Sequence, residues 1–362
     1  MFFADLDQDG DLDLYVAGTG GNKFFRNNGD GTFTENGTAM GLDSKNGFLD
    51  MAFGDWDSDG DLDIIALNEN GEIQLFNNNR HSNFSNISNS VGFKDLKYTG
   101  TALAFGDYNN DGKLDIFIAG DQDGKCLLLK NEGGKDFVID EKASEQISNS
   151  LKGIRVYAVA FLDFDNDGHL DILVAGVNND PSKSGIKLFH NDGVKGFNDV
   201  SYLLPDKALQ AYQIRIADFN YDGDEDIFLS GPTGIHLLRN DGGNLNNYVQ
   251  IHLTGLSYGN SRNNRLGIGA QVELKAGDLY QMKTVKGPLV EFGVGQRRKI
   301  DAIRIIWPNG VPETVLDPTR KEKVLEQELL KGSCPFLYTW NGRKYEFIIY
   351  MLWRSALVMP LA

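Results

Sequence analysis

Short apolar runs alternate with dense polar loops along most of the chain, and helical periodicity is scarce. Runs such as "MAFG", "LAFG" and "VAFL" lead into aspartate-rich loops, and second runs follow at once: "LDLYVAG", "LDIIAL", "LDIFIAG", "LDILVAG" and "EDIFLSG". They are too short for helices and rich in β-branched and aromatic residues, so they predict strands. A Gly- or Asn-containing turn then leads to a third run, "EIQLF" or "GIKLF", and a weaker fourth strand is expected after it.

The loops repeat. "DLDQDGDLD", "DWDSDGDLD", "DYNNDGKLD", "DFDNDGHLD" and "DFNYDGDED" start at Asp5, Asp55, Asp107, Asp163 and Asp218. A second motif keeps step about 20 residues later: "FFRNNGDGTF", "LFNNNRHSNF", "LLKNEGGKDF", "LFHNDGVKGF" and "LLRNDGGNL". Two motifs in fixed phase at this spacing imply a repeat architecture. Four short antiparallel strands per unit suit the blade of a β-propeller. The expectation is therefore an all-β chain, with a propeller of four-stranded blades over residues 1–246.

Aligning the loops assigns their positions. Position 1 is Asp5, Asp55, Asp107, Asp163 and Asp218; position 3 is Asp7, Asp57, Asn109, Asp165 and Asn220. Position 5 is Asp9, Asp59, Asp111, Asp167 and Asp222, and position 9 is Asp13, Asp63, Asp115, Asp171 and Asp226. Position 6 is always glycine, as a turn with positive φ requires. Each set of side-chain oxygens, completed by a backbone carbonyl, matches the demand of Ca²⁺ for six to eight hard ligands. Position 7 varies (Asp11, Asp61, Lys113, His169, Asp224), which fits a backbone carbonyl ligand with its side chain turned away. EF-hands are excluded, because position 12 is Val16, Ala66, Ile118, Val174 or Leu229 and the flanks are strands. Up to five Ca²⁺ are expected. Weaker binding is expected where Asn109 and Asn220 remove a charge.

The formal charge of −16 argues against nucleic acid, whose phosphates require Lys and Arg. Five bound Ca²⁺ would bring that charge to about −6. Hydrophobic content of 41% argues for a folded chain, and 42 glycines for many tight turns. Cys126 and Cys334 are too few for a disulfide framework; the sequence leaves open whether they pair. The apolar C-terminal stretch is interrupted by Arg354 and too short to span a bilayer. Both ends read as cut through structure, so a piece of a longer chain is expected.

The loops and their companion motif resemble the FG-GAP/VCBS repeats over roughly residues 1–248. The resemblance implies a calcium-bearing propeller, commonly of seven blades, of which five loops are visible here. "NNRLGIGAQVELKAG", "VEFGVG" and "IDAIRIIWPNGVPETV" resemble the ASPIC/UnbV domain, over residues 247–330. That domain follows such repeats in the cartilage acidic protein family. Between Val285 and Glu291 the chain carries only "KGPLV", shorter than the Gly/Ser-rich stretch usual there.

Alternation in "AQVELKA" and "AIRIIW" predicts a small β domain, with Trp307 buried rather than a binding platform. "KVLEQEL" reads as a strand, and residues 331–362 as a hairpin turning at Asn341-Gly342. "DQDG" at Asp121 lacks a later acid and reads as a hairpin turn. No HExxH or GxSxG motif is present, and the five histidines are scattered. The function expected is a calcium-binding extracellular, cell-surface or periplasmic module engaging a protein or glycan. A calcium-stabilised polysaccharide-degrading enzyme and an architectural part of a longer polypeptide are the alternatives.

Overall fold

The computed structural model describes all residues except 19, 43–45, 80–82, 95, 97, 99, 121–123, 257–262, 319–322, 329–335, 341–344 and 351–362. Five antiparallel sheets follow one another, one per repeat. The first has strands Phe2–Ala4, Asp13–Val16, Lys23–Asn27 and Phe33–Glu35; the second has Phe48–Gly54, Asp63–Asn68, Ile73–Asn78 and Phe84–Asn86. The third runs Gly100–Gly106, Asp115–Gly120, Cys126–Asn131 and Phe137–Ile139. The fourth runs Ile154–Leu162, Asp171–Asn178, Ile186–Asn191 and Phe197–Asp199. Each of these four is the expected propeller blade. The fifth sheet has three strands, Gln213–Ala217, Asp226–Gly231 and Gly234–Leu238, so the fourth strand expected there is missing from the sheet.

In every blade the acidic loop joins the first strand to the second. Its last aspartate opens the second strand, opposite the residue just before the loop: Ala4 with Asp13, Gly54 with Asp63, Gly106 with Asp115, Leu162 with Asp171 and Ala217 with Asp226. The sheet ladder itself therefore closes each loop. The second strands carry continuous apolar runs because neighbouring blades cover both faces; Ile64, Ile65, Ala66 and Leu67 are fully buried.

Sequence reading missed one helix, Glu141–Leu151, which follows the third blade. Asp140 caps it by accepting from the Ala143 N–H at 3.0 Å, and Ala143, Ile147 and Leu151 are buried on one face. The three apolar positions recur every four residues, a signal diluted by the polar residues between them.

The remainder folds as two more sheets. Strand Asn247–Thr254 lies between antiparallel Val290–Gly295 and parallel Lys323–Gln327. A four-stranded sheet takes the order Leu279–Thr284, Gln271–Ala276, Ala302–Ile306, Pro312–Leu316. Val249, Ile251, Val272, Phe292, Ile303 and Trp307 share one core. "KVLEQEL" is thus a strand and Trp307 is buried, its indole N–H donating to Glu313 at 3.1 Å. Met1–Gln327 forms one compact unit. Glu328–Ala362 forms a second, with an antiparallel pair of strands, Phe336–Trp340 and Tyr345–Tyr350. Asn341-Gly342, Cys334 and Asp121 lie outside the described residues; Cys126 is a free, buried thiol.

Candidate metal centre

Local geometry is the same in each loop. The residue at position 4 adopts a left-handed conformation, with φ between 58° and 64° for Gln8, Ser58, Asn110, Asn166 and Tyr221. Glycine at position 6 has φ between 81° and 97°. This double inversion turns backbone N–H groups inward. The carboxylate at position 1 accepts from the position 6 N–H at 2.9–3.1 Å in all five loops. Position 5 accepts from the position 7 N–H at 2.8–3.1 Å, which fixes the backbone of position 7.

Positions 1, 3 and 9 converge. In the first, second and fourth loops their carboxylate oxygens lie within 4.8 Å of one another: Asp5, Asp7 and Asp13; Asp55, Asp57 and Asp63; Asp163, Asp165 and Asp171. In the third and fifth loops Asn109 and Asn220 stand at position 3, each accepting from the position 5 N–H as the aspartates do. Position 5 is not a member of these triads, although in the fourth loop Asp167, Asp165 and His190 form a further group within 4.8 Å. The position 5 carboxylate faces a side chain of the third strand instead: Arg26 bonds Asp7 at 2.5 Å and Asp9 at 2.9 Å, and Lys130 lies 4.0 Å from Asp111. His190 lies 3.3 Å from Asp165 and 3.5 Å from Asp167, and those two carboxylates push its imidazole up to about 10. The sequence reading missed these third-strand side chains, although they occupy one fixed place in the companion motif.

Burial among like charges raises the loop carboxyls. Asp5 is pushed up to about 8 by burial and by Asp7, Asp9 and Asp13; burial also pushes Asp55 and Asp107 up to about 7. Such a site is stable only if protons or a cation neutralise it. The fourth loop gives a direct test of fit. Asp163 is 1% exposed, yet its Oδ1 has no hydrogen-bond partner, whereas in the other four loops this oxygen accepts the position 5 N–H. An orphaned buried carboxylate oxygen beside Asp165 and Asp171, in an all-oxygen set, suits a hard dication.

Position 7 has a structural reason to vary. Its side chain meets position 4 of the preceding blade's loop: Gln8 Nε2 donates to Asp61 at 2.7 Å, and Lys113 Nζ to Ser58 Oγ at 2.9 Å. Asn110 Nδ2 lies 3.2 Å from His169 Nδ1, and Asn166 Nδ2 donates to Asp224 at 3.2 Å. His169 is thus half-buried in an inter-blade contact, its side chain turned away from the loop's own acids. Asp11 and Tyr221, at the two ends of the series, have no such partner among the described residues, and Tyr221 is 75% exposed.

A second inter-blade link comes from an asparagine at the end of each third strand, or two residues past it in the fifth. Its backbone N–H donates to position 9, at 2.7–2.8 Å for Asn27, Asn78, Asn131, Asn191 and Asn240. Its side-chain amide then reaches the preceding blade, bonding Leu6 O at 3.2 Å (Asn78), Trp56 O at 2.8 Å (Asn131), Tyr108 O at 2.9 Å (Asn191) and Phe164 O at 2.5 Å (Asn240). One residue thereby orients a loop acid and fixes the neighbouring loop.

Residues from 246 onward close over the fourth and fifth loops. Gln250 Nε2 donates to both Asp218 and Glu291 at 2.6 Å, and Asn246 Nδ2 donates to Asp165 O at 2.7 Å. The Gly295 N–H donates to Asn166 O at 2.8 Å. At Gly293 a Cβ would stand 2.2 Å from Asp163 Oδ2 and 2.4 Å from Asn166 Cα, so only glycine permits this approach. None of these single-copy residues was singled out from sequence, because no repeat exposes their pattern.

Comparison with known proteins agrees with this geometry. The description "FG-GAP-like repeat" matches residues 5–66, 55–118, 107–174 and 163–229, each match starting at a position 1 aspartate; "ASPIC and UnbV" matches residues 259–328. Cartilage acidic protein 1 of Mus musculus is 26% identical over 269 residues, covering 67% of this chain and 39% of that protein. The Xenopus tropicalis protein is 25% identical over 295 residues, covering 75% and 43%. The chain therefore spans about two-fifths of the length of these curated relatives. Among solved structures, an Agrocybe aegerita lectin that recognises non-reducing terminal N-acetylglucosamine aligns with a TM-score of 0.42 at 21% identity, covering 67% of this chain and 63% of the lectin. The V. cholerae biofilm matrix protein Bap1 aligns at 0.38 and 13%, covering 85% and 56%. By the extent and phase of the repeat matches, the chain belongs to the FG-GAP-like repeat family and carries an ASPIC/UnbV domain after its repeats.

Proposed function

We propose that the chain is a calcium-bound binding module of the extracellular space, cell surface or periplasm. Its loops hold up to five Ca²⁺, and its partner is a protein or a glycan. The observation that carries this reading is the convergence of three carboxylates in the first, second and fourth loops, with the unpartnered Asp163 oxygen among them. Side chains at positions 1, 3, 5 and 9 and the carbonyl at position 7 supply the ligands. Calcium at millimolar extracellular levels suits an all-oxygen site of this kind. The cartilage acidic proteins named above support the extracellular assignment by likeness. No helix among the described residues is long and apolar enough to cross a membrane.

Thermal melting tests the metal assignment: 5 mM CaCl₂, roughly 5 to 50 times the Kd of about 0.1–1 mM usual for extracellular sites, should raise the midpoint over chelator by several degrees. Asp163→Asn should lose part of that gain. An identical midpoint with calcium and chelator overturns the reading. A glycan and protein array with and without chelator then tests the binding role, which predicts calcium-dependent capture.

A further inference from the structure

One place before the asparagine staple, each blade carries a side chain of variable chemistry. It is Arg26 in the first blade, Lys130 in the third and Arg239 in the fifth, permanent cations with no lone pair to share. In the second it is Asn77, whose oxygen is taken by the Trp56 indole N–H at 2.8 Å. Only the fourth blade places an imidazole there, with His190 opposite Asn198 as Arg26 is opposite Thr34. Arg26 bonds both acids that it faces, Asp7 and Asp9. His190 does not repeat this. Its Nε2 lies 3.3 Å from Asp165 and 3.5 Å from Asp167, yet it is buried and has no hydrogen-bond partner among the described residues.

These separations are the edges of a coordination tetrahedron. Nitrogen and oxygen donors at about 2.0–2.2 Å from a zinc ion stand about 3.3–3.6 Å from one another. On such a centre the imidazole lone pair aims at the ion, and the carboxylate oxygens flank that line. Close neighbours that accept no hydrogen bond are what this arrangement leaves when the ion is absent. All three donor atoms lie within 4.8 Å of one another. The opposite carboxylate oxygens are tied back: Asp165 Oδ1 accepts from the Asp167 N–H at 3.2 Å, and Asp167 Oδ1 from the His169 N–H at 2.8 Å. Both Oδ2 atoms are thereby left toward the ring. Phe164 packs edge to face on the imidazole, 5.8 Å between centroids, and the neighbouring Asn191 N–H is fixed to Asp171 at 2.8 Å. The three residues are half-buried, which leaves an ion a way in and water a fourth corner. One imidazole with two carboxylates suits a borderline dication better than Ca²⁺, which takes oxygen ligands.

We propose that Asp165, Asp167 and His190 form a zinc site beside the calcium position of the fourth loop, with the two aspartates shared between the ions. Ligation takes the neutral ring, so the ion displaces the imidazole proton into the buffer. The test titrates ZnSO₄ into the untagged full chain held in 5 mM CaCl₂. One Zn²⁺ should bind tightly per chain. In the ¹⁵N-labelled wild type the His190 Nε2 signal should move with it, a readout that needs no variant to fold. His190→Arg, which installs the first blade's residue, should weaken binding more than about 100-fold, since even outer-shell changes cost about 10–100-fold. His236→Gln, in the third strand of the fifth blade, should leave binding unchanged. No zinc bound at about 100 μM, equal affinity in His190→Arg, equal loss in His236→Gln, or an unmoved His190 signal overturns the proposal. Zinc bound at His190 beside a calcium melt that stays flat overturns the calcium reading alone, so the two failures are distinguishable.

Discussion

Asn131 bonds Trp56 O of the preceding blade and Leu114 O of its own loop, while its backbone N–H holds Asp115. It is 1% exposed, so Asn131→Ala leaves two buried carbonyls without donors. A loss of about 2–4 kcal/mol is expected, read as a lower denaturant midpoint with an unchanged slope. The loop acids make a separate claim about pH. Asp5, Asp55 and Asp107 titrate at about 8, 7 and 7 in the metal-free fold but near 3.8 when unfolded. Between those values the native chain holds more protons than the unfolded one, so metal-free stability falls as pH rises from about 4 to about 8. Melting in chelator should therefore give a higher midpoint at pH 5 than at pH 8. Saturating calcium should reverse that order, because the metal competes with protons for the same oxygens.

At the scale of elements, contacts between loops and between domains are separable. Lys113 and Ser58 sit on neighbouring loops, exposed enough that a double-mutant cycle with alanine at each should give coupling of about 0.5 kcal/mol. The Val290–Gly295 strand has no such slack. Gly293→Ala places a methyl group into Asp163 and Asn166, so it should separate the strand from the fourth loop while leaving each core intact. Increased cleavage by protease near residue 246, with native-like circular dichroism, would register that separation. These contacts also mark the limit of what the sequence carried. Loop positions were legible because five copies separated fixed residues from free ones. The asparagine staple sat in a motif already in phase, but its partner is a backbone carbonyl of the preceding repeat, which no residue pattern reveals. Gln250, Glu291 and Gly293 occur once, so nothing distinguished them from ordinary strand residues.

For the whole molecule, the acidic loops and the docked domain share an interface: Asp218, Asp165 and Asn166 belong to loops, yet all three bond residues beyond 245. Calcium should therefore make Met1–Gln327 melt in one calorimetric transition, and chelation should resolve it into two, the propeller region losing more of its enthalpy. The helix at Glu141–Leu151 was the α-helix that an all-β reading passed over among the described residues, since its apolar stripe is a single residue wide. The three-stranded fifth sheet was overlooked for the converse reason, that a regular repeat invites the assumption of regular completion.

The pairing of position 4 with position 7 of the next loop gives the chain a reading order. Gln8 faces Asp61, Ser58 faces Lys113, Asn110 faces His169 and Asn166 faces Asp224. Each joint is a different lock and key, written half in one repeat and half in the next. Repeats that look interchangeable are therefore not modular in the way a duplicated gene segment suggests. Exchanging the second and fourth would set Gln8 against His169 and Asn110 against Asp61, so drift at one site constrains its neighbour about fifty residues away.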